Sequence, residues 1–276
     1  MQERKYKGKL KMNLRTSDLA VCAETSAFSI RDFSDQGLLG PVPRAKGSNY
    51  RFFDPQLIPQ VYLIKTLREM GFSVKELAEY GRGRTPELAG EVFGRCSEQL
   101  RRDIRHMQTN LDMLLSYIGL IEEGRAAVPG KIELKELPAR PLRCSALESA
   151  GGKLNPAQRL RRAFTDIRQH GNAGCPLGYA WHDFFDYLEQ PGQPARLVSY
   201  DPQGPDIRPA GTYLVGTERC YYGETGPLPR RMFEYALHGG LELCGPAHTV
   251  YLLDAASVTG AEEYLLQVAV QVQKAT

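Results

Sequence analysis

Phe93, Ser97, Leu100, Ile104, Met107, Leu111, Leu114, Ile118 and Ile121 follow one another at spacings of 4, 3, 4, 3, 4, 3, 4 and 3 residues. On an α-helix this heptad repeat draws one continuous stripe, and only a helix pressed along its length against another helix needs it. Thr85 is placed to cap the N-terminus, with Pro86 at the first helical position. From Pro86 to Glu123, at about 1.5 Å per residue, such a helix reaches roughly 55 Å. A lone helix of that length cannot hide its stripe, so a partner helix from a second copy is expected. The bland alternative is a long helix packed along its own domain. The heptads leave parallel and antiparallel pairing equally open.

Composition sets the outer limits. A chain of 276 residues can hold two cores, and 42% hydrophobic with 24% charged residues is ordinary for a globular protein. No apolar run approaches the ~20 residues of a membrane span, and the N-terminus lacks a signal peptide's apolar core, so a cytoplasmic location without membrane partners is expected. Cys22, Cys96, Cys144, Cys175, Cys220 and Cys244 lie far apart without C-x-x-C spacing. That pattern suggests neither a disulfide framework nor a zinc ribbon.

The net charge is only +3, so its distribution carries more information than its sum. The excess sits in front: Arg4, Lys5, Lys7, Lys9, Lys11 and Arg15 precede the first helix, and Arg31, Arg44, Lys46, Arg51, Lys65 and Arg68 follow over the next elements. The leading run reads either as a phosphate-binding arm or as an extension ahead of Met12.

Thr16 or Ser17 is expected to cap a short helix through Val21. A second helix opens at Thr25 or Ser26 and closes at Gly37. Two short helices so joined make a helix-turn-helix unit. Gly40-Pro41-Val42-Pro43 cannot be helical, and Gly47-Ser48-Asn49 reads as the turn of a hairpin, or wing. Asp54-Pro55 launches a helix ending at Gly71, and Ser73 to Glu76 is a capping box for a fourth.

Residues 13 to about 123 resemble the DNA-binding and dimerisation region of the MerR family of transcription regulators. The resemblance is carried by Ile30-Arg31-x-Phe33, Gly37-Leu38-Leu39, Tyr50-Arg51-Phe52-Phe53-Asp54 and the run from Leu63 to Ser73. The family pattern has two aromatics after the arginine; here Asp32 stands in the first of those places. An acid facing phosphate is unfavourable, so Asp32 is expected to cap, to pair with a base, or to change which base edges are reached. The resemblance puts Ser26, Phe28, Ser29 and Arg31 in the major groove, where arginine can bind a guanine edge bidentately. Arg44, Lys46, Tyr50, Arg51 and Lys65 would then track phosphates. Phe33 reads as core.

After Gly124 the composition changes. Strand-like and helix-like segments alternate in two successive series, which predicts a duplicated α+β domain. This half resembles the GyrI-like effector-binding domain of drug-responsive MerR members of the BmrR type. Cys175 to Asp183, Tyr222-Gly223, Gly245-Pro246 and Glu262-Glu263-Tyr264 carry the similarity. The expected organisation is α+β: a winged helix-turn-helix over 13–84, a coiled-coil dimerisation helix over 85–123, a linker over 124–130 and a ligand-binding domain over 131–276.

Leu177–Tyr187 reads as one strand, with Tyr179, Trp181, Asp183, Phe185 and Tyr187 on a single face. Such a row suits a flat cation, or it is simply core. Tyr213, Tyr222, Tyr251 and Tyr264 are further candidates. In BmrR-like domains a glutamate on the next-to-last strand meets the cation; here that place falls near Thr249, which is no acid. Either Asp183 or Glu218 takes over, or the ligand is less cationic. The loop from Gly119 to Gly130 has no Cys or His, which argues against a metal or iron-sulfur sensor, and no cofactor is expected.

The resemblance therefore implies a dimeric activator that distorts promoter DNA for RNA polymerase on binding a lipophilic aromatic or cationic effector, and not an enzyme. A small hydrolase using His182, Asp183 and Glu218 is one alternative, although His182 should point away from Asp183 on an alternating strand. A DNA-binding repressor without a ligand is the other.

Overall fold

A computed structural model describes residues 13–40, 42, 50–146, 155–170, 174–221 and 224–274. The basic arm before Met12, the wing tip with Arg44 and Lys46, and Tyr222 lie outside the described residues. The chain divides into two compact units, one ending at Ile104 and one beginning at Arg105.

In the first unit, α1 (Thr16–Cys22) and α2 (Ala27–Asp35) form the helix-turn-helix. The α1 cap sits one residue before the expected threonine, because the Arg15 amide donates to the Asp18 carboxylate at 3.0 Å. Ser26 caps α2 as expected, its Oγ accepting from the Ser29 amide at 3.0 Å. Gly37 ends that helix at φ +76°, a conformation open to glycine. Helix α3 spans Leu57–Glu69, two residues later than Asp54-Pro55 suggested; Asp54 instead accepts from the Gln56 amide and begins the turn leading into it. The Ser73/Glu76 capping box opens α4 (Val74–Arg82) as expected. Leu19, Ile30, Phe33, Phe53, Val61, Ile64 and Leu67 form the core, with Val92 and Cys96 from the start of α5 (Pro86–Ala126) closing it. Leu14 and Phe53 exchange two backbone hydrogen bonds of 2.9 Å, a two-strand bridge at the root of the wing.

Thr85 caps α5 by accepting from the Leu88 amide at 3.2 Å, and the helix continues to Ala126, past the expected end at Glu123. Along it Phe93, Leu100, Ile104, Met107, Leu111, Leu114 and Ile118 stand 40–69% exposed. Among the described residues nothing covers this apolar stripe.

The second unit is an antiparallel sheet. Its described strands are β1 (Ile132–Leu137), β2 (Arg140–Cys144), β3 (Leu177–Ala180), β4 (Arg196–Ser199), β5 (Asp206–Arg208), β6 (Gly211–Arg219), β7 (Leu241–Leu253) and β8 (Leu265–Lys274). They run in the order β1-β6-β8-β7-β3-β4-β2-β5. The expected duplication is visible in this order. β2, α6 (Pro156–His170), β3 and β4 repeat the path of β6, α8 (Leu228–His238), β7 and β8, and in each repeat the last strand lies between the other two. The repeats meet where β3 pairs with β7, Tyr179 opposite Thr249. Gly178 makes that meeting possible, because a Cβ there would lie 1.8 Å from the Thr249 carbonyl oxygen.

One predicted strand is corrected. β3 ends at Ala180, and Asp183 is the N-cap of a short helix, α7 (Phe184–Glu189), its Oδ1 accepting from the Asp186 amide at 2.8 Å. A carboxylate that satisfies the first free amides of a helix competes with strand continuation, and here the cap prevails.

Candidate functional site

The first unit presents α2. Ile30 and Phe33 are buried, which leaves Ser29, Arg31 and Phe28, the last 76% exposed, on the outward side. Ser26 and Ser29 hydroxyls lie 2.9 Å apart at the helix start. Asp32 accepts from Gln36 Nε2 at 3.3 Å, a side-chain pair one turn apart near the end of α2. Tyr50 is 67% exposed.

Two expected phosphate trackers are engaged inside the unit. The Arg51 guanidinium donates to Asp35 Oδ1 at 2.5 Å and to the Arg31 carbonyl at 3.4 Å, fastening the wing root to the last turn of α2. Lys65 Nζ donates to the carbonyls of Ala23 and Glu24 at 3.1 and 2.7 Å and lies 5.1 Å from the Tyr62 ring centroid. Glu24 holds φ +49°, so Lys65 braces the one strained residue of the helix-turn-helix turn. Neither tie had a sequence signal, since the partners are 16 to 42 residues apart.

In the second unit a pocket of about 450 Å³ opens against one face of the sheet. Its floor is Tyr179 on β3, Thr249 and Tyr251 on β7 and Leu266 on β8, with Trp181 beside them. The Trp181 indole donates to the Gln190 carbonyl at 3.2 Å and meets Tyr179 edge-on at 6.3 Å between ring centroids. Thr249 Oγ1 accepts from the Tyr179 amide at 3.2 Å, and the Tyr251 hydroxyl donates to the Tyr221 carbonyl at 3.2 Å. Arg159, Leu160 and Ala163 of α6 form one wall. Pro191 to Leu197, with Glu224 and Thr225, complete the rim.

Of the aromatic row, only Tyr179 and Trp181 reach this pocket. The change from strand to helix breaks the alternation, so Asp183 caps α7 at the surface and Phe185, 52% exposed, packs on Phe233. Tyr187 is fully buried behind Trp181, at 4.6 Å between centroids, and burial raises its phenol well above the ordinary range. Tyr213 is buried elsewhere, its hydroxyl donating to the Pro209 carbonyl at 2.9 Å, and Tyr264 backs Tyr251 at 6.3 Å between centroids. Glu218 pairs with Arg231 at 3.0 Å and is not among the lining residues.

Neither proposed substitute for the missing acid therefore lines the pocket. The carboxylate on its described lining is Glu224, which is exposed, and Arg159 stands across from the apolar floor. Sequence reasoning missed Glu224, Arg159 and the Pro191–Pro194 turn, all of which lie on connections or a helix face with no periodic signal. His182, Asp183 and Glu218 are not assembled: His182 and Asp183 are exposed, and Glu218 is held by its ion pair.

The other face of the sheet carries a smaller cavity of about 340 Å³, lined in part by Trp181, Arg196, Asp206, Tyr213 and His248. Burial, with the Arg208 charge adding, lowers the His248 imidazole to about 4. Among the described residues no group of three or more His, Cys, Asp or Glu is placed to hold a metal ion, and no helix is long and apolar enough to cross a membrane.

Residues 14–83 match the model of the MerR HTH family regulatory protein. The chain is 20% identical to the multidrug-efflux transporter 2 regulator of Bacillus subtilis (strain 168), over 96% of this chain and 98% of that one. Among solved structures, EcmrR in its DNA complex is similar at 15% identity, covering 95% of this chain and 100% of that one with a TM-score of 0.34. A hydrolase from Listeria innocua is similar at 14% identity and TM-score 0.32, covering 55% of this chain and 97% of that one. The helix-turn-helix geometry and the match to the MerR HTH model agree over residues 14–83, and the likeness to the Bacillus subtilis regulator runs nearly the full length of the chain.

Proposed function

We propose that this regulator works as a homodimer that reads promoter DNA with α2 and responds to a lipophilic aromatic small molecule held in the 450 Å³ pocket. Two copies pair through the exposed stripe of α5, each presents Ser29, Arg31 and Phe28 to the major groove, and RNA polymerase uses the distorted promoter in the cytoplasm. Bending a site of this kind costs several kcal/mol, on the order of 1–6, which phosphate contacts offset. The effector shifts the balance only by its preference for the activating state.

The observation that carries this reading is the pocket itself: an aromatic floor with a single indole, of a volume suited to a small molecule, in a chain whose residues 14–83 match a MerR helix-turn-helix. Its lining favours a neutral or weakly charged aromatic over a strong cation. A buried cation without a counter-charge is expensive, Thr249 stands where the acid would be, and Glu224 lies at the exposed rim. Trp181 is the sole tryptophan, so its fluorescence reports occupancy directly. Titration with the lipophilic cation tetraphenylphosphonium and the aromatic anion 8-anilinonaphthalene-1-sulfonate, alongside transcription in vitro from a duplex selected from random sequences, tests the proposal. Quenching of Trp181 accompanied by a change in transcript yield supports it; quenching with constant yield overturns the effector role.

A further inference from the structure

The pocket floor and the end of α5 share the same two strands from opposite sides. Along β7, Thr249 and Tyr251 face the pocket, while Val250 and Leu252 pack in a cluster with Leu120 of α5, which is 1% exposed. Along β8, Leu266 faces the pocket, while Leu265 joins the Leu120 cluster and Gln267, 4% exposed, donates through Nε2 to Glu123 Oε1 at 2.5 Å. This is the two-residue period of a strand with both faces occupied.

The contact is close as well as extended. A Cβ on Gly124 would lie 2.9 Å from Leu253 Cγ and 3.1 Å from Leu252 Cβ, so the helix backbone rests on β7 with no room for a side chain. Just beyond the helix, Thr217 of β6, paired with Gln267, donates through Oγ1 to the Val128 carbonyl at 2.8 Å, and its backbone carbonyl accepts from the Gly130 amide at 2.7 Å. Further up, Gln203 donates to Asp112 at 2.6 Å. The last turns of α5 are thus pinned to β7 and β8, both of which contribute to the pocket floor, and the segment just after the helix is held by β6.

Packed interiors pass displacement on, since few voids absorb it. We infer that β7 and β8 are the relay between pocket and dimerisation helix: occupancy displaces Tyr251 and Leu266, and the same strands move the seat of Leu120, Glu123 and Gly124. The inference rests on the pocket being the effector site. Gln267 and Gly124 act as positioning residues outside the pocket lining. Two sites become coupled when one packed element has two arrangements that both can bias.

The test follows amide hydrogen exchange over residues 118–126 in the full-length protein under three perturbations: tetraphenylphosphonium, 8-anilinonaphthalene-1-sulfonate, and the substitution Ala163→Phe, which fills the pocket from the α6 wall without any ligand. Trp181 quenching monitors occupancy by the two probes. Exchange in this segment is expected to change by about threefold or more with each perturbation that fills the pocket. In a Gln267→Leu background the change should fall to less than about 1.5-fold, with the probe midpoints of Trp181 quenching held within about threefold. Gly124→Ala should act likewise, and Gln267→Leu decides the matter where that variant folds poorly. An exchange response that survives Gln267→Leu, or a filled pocket that leaves 118–126 unchanged, overturns the relay. Absence of quenching by both probes counts against the effector reading alone, because Ala163→Phe still decides the relay.

Discussion

Replacing Arg51 with alanine distinguishes two ways this arginine, beside the proposed DNA-reading helix α2, can matter. Its side chain is 16% exposed and sits 2.5 Å from an Asp35 carboxylate that is itself 61% exposed. Solvent screening on the Asp35 side limits the pair to about 0.5 kcal/mol. The 3.4 Å bond to the Arg31 carbonyl is long and adds no more than ~0.5 kcal/mol. The free protein should therefore lose about 1 kcal/mol, a shift of roughly 4–8 °C in the melting of a unit this size. The effect on DNA separates the readings. If the Arg51 guanidinium neutralised a phosphate, its removal would reduce the slope of log K against log salt by about 0.9. A guanidinium that only fastens the wing root to α2 leaves that slope unchanged and weakens discrimination, because the last turn bearing Arg31 is freed. We expect affinity for a selected duplex to fall by about tenfold, some 1.4 kcal/mol, with little change on scrambled sequence. Asp35→Asn should reproduce most of this loss. Fluorescence anisotropy over a salt series reads all three quantities. A slope reduced by about 0.9 in Arg51→Ala, together with a silent Asp35→Asn, would refute the reasoning and restore Arg51 to the phosphates.

Three further outcomes are expected. Leu111→Glu, at a seam position 49% exposed in the single chain, should convert a sedimenting dimer to monomer at micromolar concentration without unfolding either unit; an unchanged mass would mean that another surface holds the copies together. Gly178→Ala should cost more than ~2 kcal/mol in chemical denaturation, because the added methyl meets the Thr249 carbonyl at 1.8 Å, and near-normal stability would show that the joint between repeats yields easily. His248 binds a proton less readily when folded, at about 4 against 6.5 for an ordinary imidazole. Its contribution is therefore present above pH 6.5 and lost as pH falls toward 4. Up to about 3 kcal/mol is at stake over that window, and His248→Gln should flatten the acid limb of a stability-against-pH curve. An acid limb identical in the variant would remove His248 from the account.

Short-range physics made the first unit legible. Capping at Ser26, Ser73 and Thr85, left-handed stops at Gly37 and Gly71, and the heptad spacing of α5 each depend on residues within a few positions of one another. The duplication of the second unit was legible for a related reason, since each repeat carries its own run of periodic segments. Failure came where one local preference overrode another. Asp183 could equally have been a strand residue or a helix cap, and alternation of aromatics over Leu177–Tyr187 favoured the strand. The capped turn took the chain out of the sheet and sent Phe185 to the surface and Tyr187 to the core. Arg51 and Lys65 illustrate a second limit. A cation near a helix-turn-helix looks the same in sequence whether it meets phosphate or a group of its own fold, and the ties to Asp35, Ala23 and Glu24 emerge only when segments 16 to 42 residues apart approach.

The position of the pocket follows from the duplication, whereas its chemistry does not. Each repeat places its last strand internally and the two join through β3 and β7, so the floor at that joint draws side chains from both: Tyr179 from one, Thr249 and Tyr251 from the other. Helix α6 stands to one side, and the connection bearing Glu224 and Thr225 to another. An opening at the joint is thus built into the topology. Which molecule it accepts turns on a few positions, and Thr249 is the telling one, because its hydroxyl is already bonded to the Tyr179 amide and offers no charge to a ligand. A carboxylate there would gain a buried cation's attraction but would have to surrender that amide or share it. Thr249→Glu should consequently raise affinity for tetraphenylphosphonium relative to 8-anilinonaphthalene-1-sulfonate in the Trp181 titration. If the ratio of the two midpoints did not move, the pocket floor would not be where ligand charge is read, and the exposed Glu224 rim would be left as the discriminating group.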